Sequence, residues 1–256
     1  MIFNNSIKLF IVGNINEHHL IEIVNQNLSN IESAHSSNDN FEKPKIKEKT
    51  FYLVDKKGSA QSELRIGHIA KTRNSEDYYP TKIMNTILGG QFSSRINLNL
   101  REKKGYTYGA NSSFGYFKHT GIFEISTAVN IDNTSDSIKE IFFEIEEIQK
   151  NINQEEIDFA KSYLIKQFPS KFETYSQVAK NIESIVTHNL SFDEFNTYQS
   201  NIKNVETNEV LKAARENILN EYLTIVIVGD KQKVIPQIEK EFNITPTELD
   251  KEGNEI

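Results

Sequence analysis

"GGQFSSRINLNLREKKGYTYG", residues 89–109, sets four glycines around a run of helical spacing, and this punctuation decides how the chain divides into elements. Just upstream, "EDYYPTKIMNTIL" (76–88) places Ile83, Met84, Ile87 and Leu88 on one helical face, and Gly89 and Gly90 end that helix. Ser93 is placed to cap a second helix carrying Ile96 and Leu100. Gly105 is placed to stop it, because glycine enters the left-handed conformation without steric cost. Tyr106 and Tyr108 then open a strand, two positions apart and therefore on one face. The product is a helix–helix–strand corner with Arg101 near the end of its second helix.

Working outward, "TFYLVDK" (50–56) and "SELRIGHIA" (62–70) read as strands before the corner. After it, 106–116 and 121–130 read as an antiparallel hairpin joined by "FKHTG". In the second arm Phe123, Ile125, Thr127 and Val129 alternate with Glu124, Ser126 and Ala128. Helical spacing follows over 134–150, where Ile138, Ile141, Phe142, Ile145 and Ile148 form one stripe, and over 154–168. Asn153 and Glu156 have capping-box spacing, and Pro169 breaks the pattern. Further helices fit 172–188, 192–201 (Ser191 and Glu194 as a box) and 208–219, and a strand fits 222–228. Strands cluster early, helices late, and one strand returns at the end. That order predicts an α+β fold, a mainly antiparallel sheet covered on one face by helices.

The chain also repeats itself. "IKLFIVGNINEHHLIEIVNQNL" (7–28) and "LTIVIVGDKQKVIPQIEKEF" (223–242) share one grammar of apolar strand, Val-Gly, polar residue and amphipathic helix. Between the first copy and the first strand of the main module, "SAHSSNDNFEKPKIKEK" (33–49) is polar, charged and contains one proline, as linkers do. The expected division is a strand–helix tail at 1–35, a linker at 36–48 and a complete domain at 49–256.

Composition excludes several functions. With 256 residues, 37% hydrophobic and 25% charged, the chain can bury a sizeable core. A net charge of −7 with no basic stripe argues against nucleic acid as a partner, since that binding rests on clustered cations. Without cysteine there is no disulfide, thiolate nucleophile or Cys-based zinc site. No apolar run approaches the ~20 residues of a membrane span. Lys8 interrupts the N-terminal apolar patch and no signal-type cleavage site follows, so a soluble protein is expected, cytoplasmic or periplasmic.

Catalytic motifs are equally sparse. His18 and His19 are adjacent on a helical segment and diverge by about 100°; His18 and Glu22 share a face, but no third ligand joins them. H-E-x-x-H, H-x-x-E-H, G-x-S-x-G, the Walker loop and G-x-G-x-x-G are all absent. His68 sits among Leu64, Ile66 and Ala70 and reads as a hydrogen-bonded core histidine, while Glu146–Glu147 and Glu155–Glu156 read as solvated helix surface. Metal ligands and a catalytic base are therefore not expected in this chain. For Arg101 and Tyr108 two readings stay open. The arginine pairs with a nearby carboxylate and the tyrosines cover the helix, or a guanidinium fork and a phenol present donors to a peptide carbonyl or a developing oxyanion.

"GSAQSELRIGH" (58–68), "ILGGQFSSRINLNLREKKGYTYG" (87–109), "IFEISTAV" (122–129) and "IVIVGD" (225–230) resemble the second, non-zinc domain of the pitrilysin/insulinase (processing-peptidase-like) zinc metallopeptidases. The similarity covers residues 49–242; residues 6–31 resemble the tail of the preceding homologous domain, which fits the repeat. The resemblance implies that a zinc-bearing homologous half or subunit carries H-x-x-E-H and activates water, while a second half closes over a peptide substrate. It further implies that Arg101 and Tyr108, matching the family's Arg–Tyr pair, grip the substrate backbone, and that zinc belongs to the other half. The expected function is the non-catalytic, substrate-binding part of a zinc endopeptidase acting on peptides or unfolded polypeptides. The alternative is a non-enzymatic core or assembly subunit of the same fold.

Overall fold

The structure, a computed structural model, describes residues 8–28 and 48–256. The expected linker at 36–48 lies outside the described residues except for its last position, and the expected tail at 1–35 is described over 8–28 alone. Within the tail, helix α1 (Glu17–Leu28) forms as its spacing predicts, and none of its residues is buried. Residues 8–12, expected as a strand, carry no strand. The second copy of the repeat is built in full, as β5 (Thr224–Gly229) and α9 (Lys231–Phe242). The difference is pairing: β5 lies between two strands, whereas an extended segment without a ladder partner has nothing to satisfy its backbone but water.

A six-stranded sheet forms the centre of the main body, in the order β3-β4-β2-β5-β1-β6. Strands β1 (Thr50–Asp55), β2 (Gln61–Ala70), β3 (Thr107–Tyr116) and β4 (Gly121–Asn130) match the expected ones closely. From β3 across to β5 the pairing is antiparallel; β1 then runs parallel to β5 and to the short β6 (Thr247–Leu249). Alternation sorts the two faces: Phe123, Ile125, Thr127 and Val129 are buried and Glu124 is exposed.

Against the sheet pack α2 (Tyr78–Leu88) and α4 (Thr134–Lys150); α5 (Gln154–Gln167) packs on α2 and α8 (Thr207–Asn217) on both α2 and α4, with α6 (Tyr175–Thr187) and α7 (Glu194–Asn204) extending the helical layer. Of the expected α4 stripe, Ile138, Ile141, Ile145 and Ile148 are buried and Phe142 is partly buried against the core. Asn153 and Glu156 make the expected reciprocal capping box at α5, and a 3-10 turn replaces the α-helix at Phe168–Phe172, where Pro169 removes a donor. Ser191 does not cap α7. Its carbonyl and hydroxyl close a turn onto Glu194 N and Asp193 N, so the helix starts later.

His68 is a core histidine, as expected. Leu219 N–H donates to its Nε2 (3.0 Å), which assigns the proton to Nδ1, 3.0 Å from the Ile69 carbonyl. Burial lowers its pKa, a little offset by that carbonyl, so the ring is neutral.

Candidate functional site

The corner holding Arg101 and Tyr108 is laced together by side chains that tie helix ends to the edge strand. Gly89 N–H and Gly90 N–H both donate to Asn85 O at the end of α2. The Asn85 amide reaches across to β3, donating to Ser112 O (3.1 Å) and accepting from Ser112 Oγ (2.8 Å). Ser112 N–H donates to Gly89 O (3.0 Å). Backbone groups at the outer edge of β3 are thus satisfied by the end of α2, and only a glycine fits there, since a Cβ on Gly89 would lie 2.5 Å from Ser112 N.

The next segment departs from its reading in two respects. Ser94, not Ser93, occupies the cap position, and its side chain makes no capping bond. One α-turn, α3 (Arg95–Asn97), passes into a π-helix at Leu98–Lys103, closed by Lys104 N–H to Asn99 O (3.0 Å). Ile96 and Leu100 are buried as expected, and Gly105, at φ +67°, ends the helix. Asn97, 4% exposed, locks the corner from beneath: its Nδ2 donates to Phe92 O (2.6 Å) and its Oδ1 accepts from Ala110 N (3.0 Å).

A β-bulge overturns the expected common face of Tyr106 and Tyr108. Thr107 pairs with Val129 and Ala110 with Thr127, so β3 carries one extra residue here. Gly109 N–H donates to Thr107 Oγ1 (3.1 Å), and the Thr127 hydroxyl donates to Gly109 O (3.0 Å), which holds the bulge. Tyr106 lies before the strand and packs against the core, whereas Tyr108 is 91% exposed.

Tyr108 and Phe92 line an open hollow of about 420 Å³ with Asn97 and Gly89–Gln91. Arg101 does not line it. Its guanidinium carbon sits over the Phe92 ring, 4.4 Å from the centroid, and its Nε is 3.6 Å from the exposed carboxylate of Glu102. Neither side chain is committed to a buried partner: the Arg101–Glu102 pair is solvent-screened and weak, and the phenol of Tyr108 stands in water. Phe92, which joins the two, was absent from the sequence reading; the available signal is a large aromatic two positions after a glycine pair. The neighbouring Arg95 contrasts with Arg101. It is forked onto Glu156 (2.6 and 2.7 Å) and bonded to Asn151 O (3.0 Å). Burial pushes the Glu156 carboxyl up, yet Arg95 and Asn153 N–H together hold it below the usual carboxylate range. Arg95 is a structural arginine, and Glu156 is more than solvated surface.

Zinc is the cofactor that the resemblance implies. Among the described residues no group of three or more His, Cys, Asp or Glu side chains could hold a metal ion. His18 and His19 lie 3.5 and 3.7 Å from Glu22 on an exposed helix face, a donor set too small and too solvated for a zinc site. The described residues do not fit the ion.

A family described as the peptidase M16 inactive domain matches residues 2–164. An uncharacterized zinc protease of Rickettsia felis is 27% identical over 61% of this chain and 38% of its own length. A non-peptidase homolog, YmxG, of Helicobacter pylori is 29% identical over 62% of this chain and 37% of its own. This chain therefore spans well under half of either relative. The crystal structure of a peptidase M16 inactive domain from Pseudomonas fluorescens superposes with a TM-score of 0.73 at 23% identity, covering 86% of this chain and 52% of that one, which shows a shared fold.

Proposed function

Because the chain belongs to the peptidase M16 family and carries that family's inactive domain, we propose that it is the substrate-holding part of an M16-type zinc endopeptidase. Its ligand is an extended peptide or unfolded segment, and the zinc-bearing half is another part of the same protein or a partner subunit. Arg101 and Tyr108 donate to the peptide backbone, and Phe92 fixes the guanidinium by ring stacking. Zinc in the other half supplies a polarised carbonyl and an activated water; the residues here hold and orient the chain to be cut.

The observation that carries this reading is the exposure of Tyr108 beside a hollow whose aromatic wall, Phe92, supports an Arg101 with no buried partner. Holding such groups out of the core costs contacts, and the corner that does so is built from dedicated bonds through Asn85, Asn97 and Thr127. The non-enzymatic reading has one comparison in its favour, the likeness to a protein named a non-peptidase homolog.

Binding of a labelled unfolded peptide, followed by anisotropy, and its turnover with the zinc-bearing half supplied separate the two. Arg101→Ala and Tyr108→Phe are expected to weaken binding and to lower turnover roughly a hundredfold, the usual cost of one transition-state donor. Thermal midpoints should hardly move: Tyr108 is exposed, Arg101 has no buried partner, and surface substitutions away from such partners stay within ~0.5 kcal/mol. The chain alone is expected to retain no stoichiometric zinc after dialysis and to cleave nothing. Unchanged binding and turnover in both variants would reduce the corner to architecture.

A further inference from the structure

A second cluster lies at the start of α2, where it meets the 3-10 turn and α7, and it uses none of the corner's residues. Arg73 lies over the ring of Tyr78 (3.1 Å to the centroid) and Lys82 approaches the same ring (5.5 Å), with its Nζ 3.4 Å from the phenol oxygen. Tyr78 packs on Tyr79 and Tyr116, Tyr79 on Tyr198, and Lys171 lies 5.4 Å from the Tyr198 centroid. Phe168 stacks on Tyr198 at 4.3 Å and 9°, which floors the group.

Three cations thus share one aromatic bed, and a single carboxylate answers them. Glu194 binds Arg73 and accepts from Tyr79 OH (2.8 Å), with Arg73 only 11% and Glu194 14% exposed. The adjacent Asp77 is occupied by Lys71 and Asn217. Among the described residues neither Lys82 nor Lys171 has a carboxylate at ion-pair distance, and both are half-buried. Two positive charges are left uncompensated in a partly dry setting. Burial, then the charges of Lys82 and Arg73, push Lys171 down to about 8, and burial with Arg73 lowers His188. Such a cluster costs folding free energy, and a bound anion would offset that cost. The surplus matches a dianion better than a single carboxylate, and lysine ammoniums beside phenol donors suit phosphate oxygens.

We propose that Arg73, Lys82 and Lys171, on the bed of Tyr78, Tyr79 and Tyr198, form a binding site for a phosphate group, free or as a monoester. Lys82 and Lys171 contact the anion, and Arg73, already held by Glu194, adds charge from behind. The site is independent of the peptide-holding role of Arg101 and Tyr108.

Isothermal titration at constant ionic strength tests it, with inorganic phosphate, phenyl phosphate and acetate as probes. Saturable binding of phosphate or phenyl phosphate at one site per chain is expected, with acetate at least tenfold weaker. Lys82→Gln and Lys171→Gln should each weaken it tenfold or more, while Lys139→Gln, which removes a lysine paired with Glu241 elsewhere, should leave it unchanged. Tighter binding of phenyl phosphate than of phosphate identifies a monoester as the ligand, and the reverse identifies the free anion. Thermal midpoints of the Lys171 and Lys82 variants should equal or exceed that of the parent, so lost binding cannot be laid to unfolding. Absence of saturable binding by either phosphate probe overturns the proposal, as does equal binding by the parent and both cluster variants, or an equal loss in Lys139→Gln.

Discussion

His68 shows how one residue's surroundings set a property of the whole fold. Its neutral ring accepts from Leu219 N–H, and burial depresses its pKa below the unfolded value of ~6.5. A depressed histidine binds fewer protons folded than unfolded at mildly acid pH, so its contribution to stability is complete above pH ~6.5 and is lost as pH falls toward the folded pKa. His188 is depressed as well and adds in the same direction. Urea midpoints should therefore decline between pH 8 and pH 5, and His68→Gln, which keeps an acceptor for Leu219, should decline less over that range. Identical pH slopes in parent and variant would remove His68 as a contributor. The core role of His68 was legible because its neighbours on the strand are apolar; its acceptor role was not, since Leu219 lies 151 positions away.

At the scale of elements, what could be read was local and what could not depended on distant partners. The stripe on α4, the alternation on β4 and the Asn153–Glu156 box involve residues within a few positions of one another, and the structure contains all three. The shifted cap at Ser94, the π-turn after Asn97 and the bulge at Thr107–Ala110 arise from bonds between segments, such as Asn97 to Ala110 and Thr127 to Gly109. Short β6 went unread because three residues carry no period and its partner β1 is nearly two hundred positions earlier. At the candidate site Tyr108 and Arg101 stood out beside glycines, whereas the platform beneath Arg101 depended on how the loop at Phe92 folds back. The two glycines flanking the hollow make this testable. A Cβ on Gly89 meets Ser112 Oγ and N at 2.5 Å, whereas one on Gly109 has Asn97 Oδ1 nearest, at 3.8 Å. Gly89→Ala should cost about 1–3 kcal/mol as overpacking, some degrees in thermal midpoint, and Gly109→Ala should be close to neutral. Equal midpoints for the two variants would show that the seam between α2 and β3 is looser than its bonds imply.

For the whole molecule, the two copies of the strand–helix repeat have different fates. In the later copy β5 is inserted between β1 and β2, and α9 buries Val234 and Ile238. In the earlier copy α1 buries nothing: of its apolar residues Ile21, Ile23 and Leu28 are exposed and Leu20 and Val24 half-buried. A twelve-residue helix that buries none of its residues is marginal in water, so the free energy that would fix α1 must come from something it docks against. The matched residues span only 38% and 37% of the two M16 relatives' own lengths, and a preceding homologous domain is the partner we propose for α1. Deuterium exchange on the chain by itself discriminates. Amides of α1 should exchange within seconds to minutes, while those of β2, hydrogen-bonded to β4 on one side and β5 on the other, should be protected toward the global unfolding limit. Supplying the preceding part of the protein should slow exchange in α1 and leave β2 as it was. Protection of α1 equal to that of β2 in the isolated monomer would mean that the helix already belongs to this domain's own core, and the division of the chain before residue 49 would have to be withdrawn.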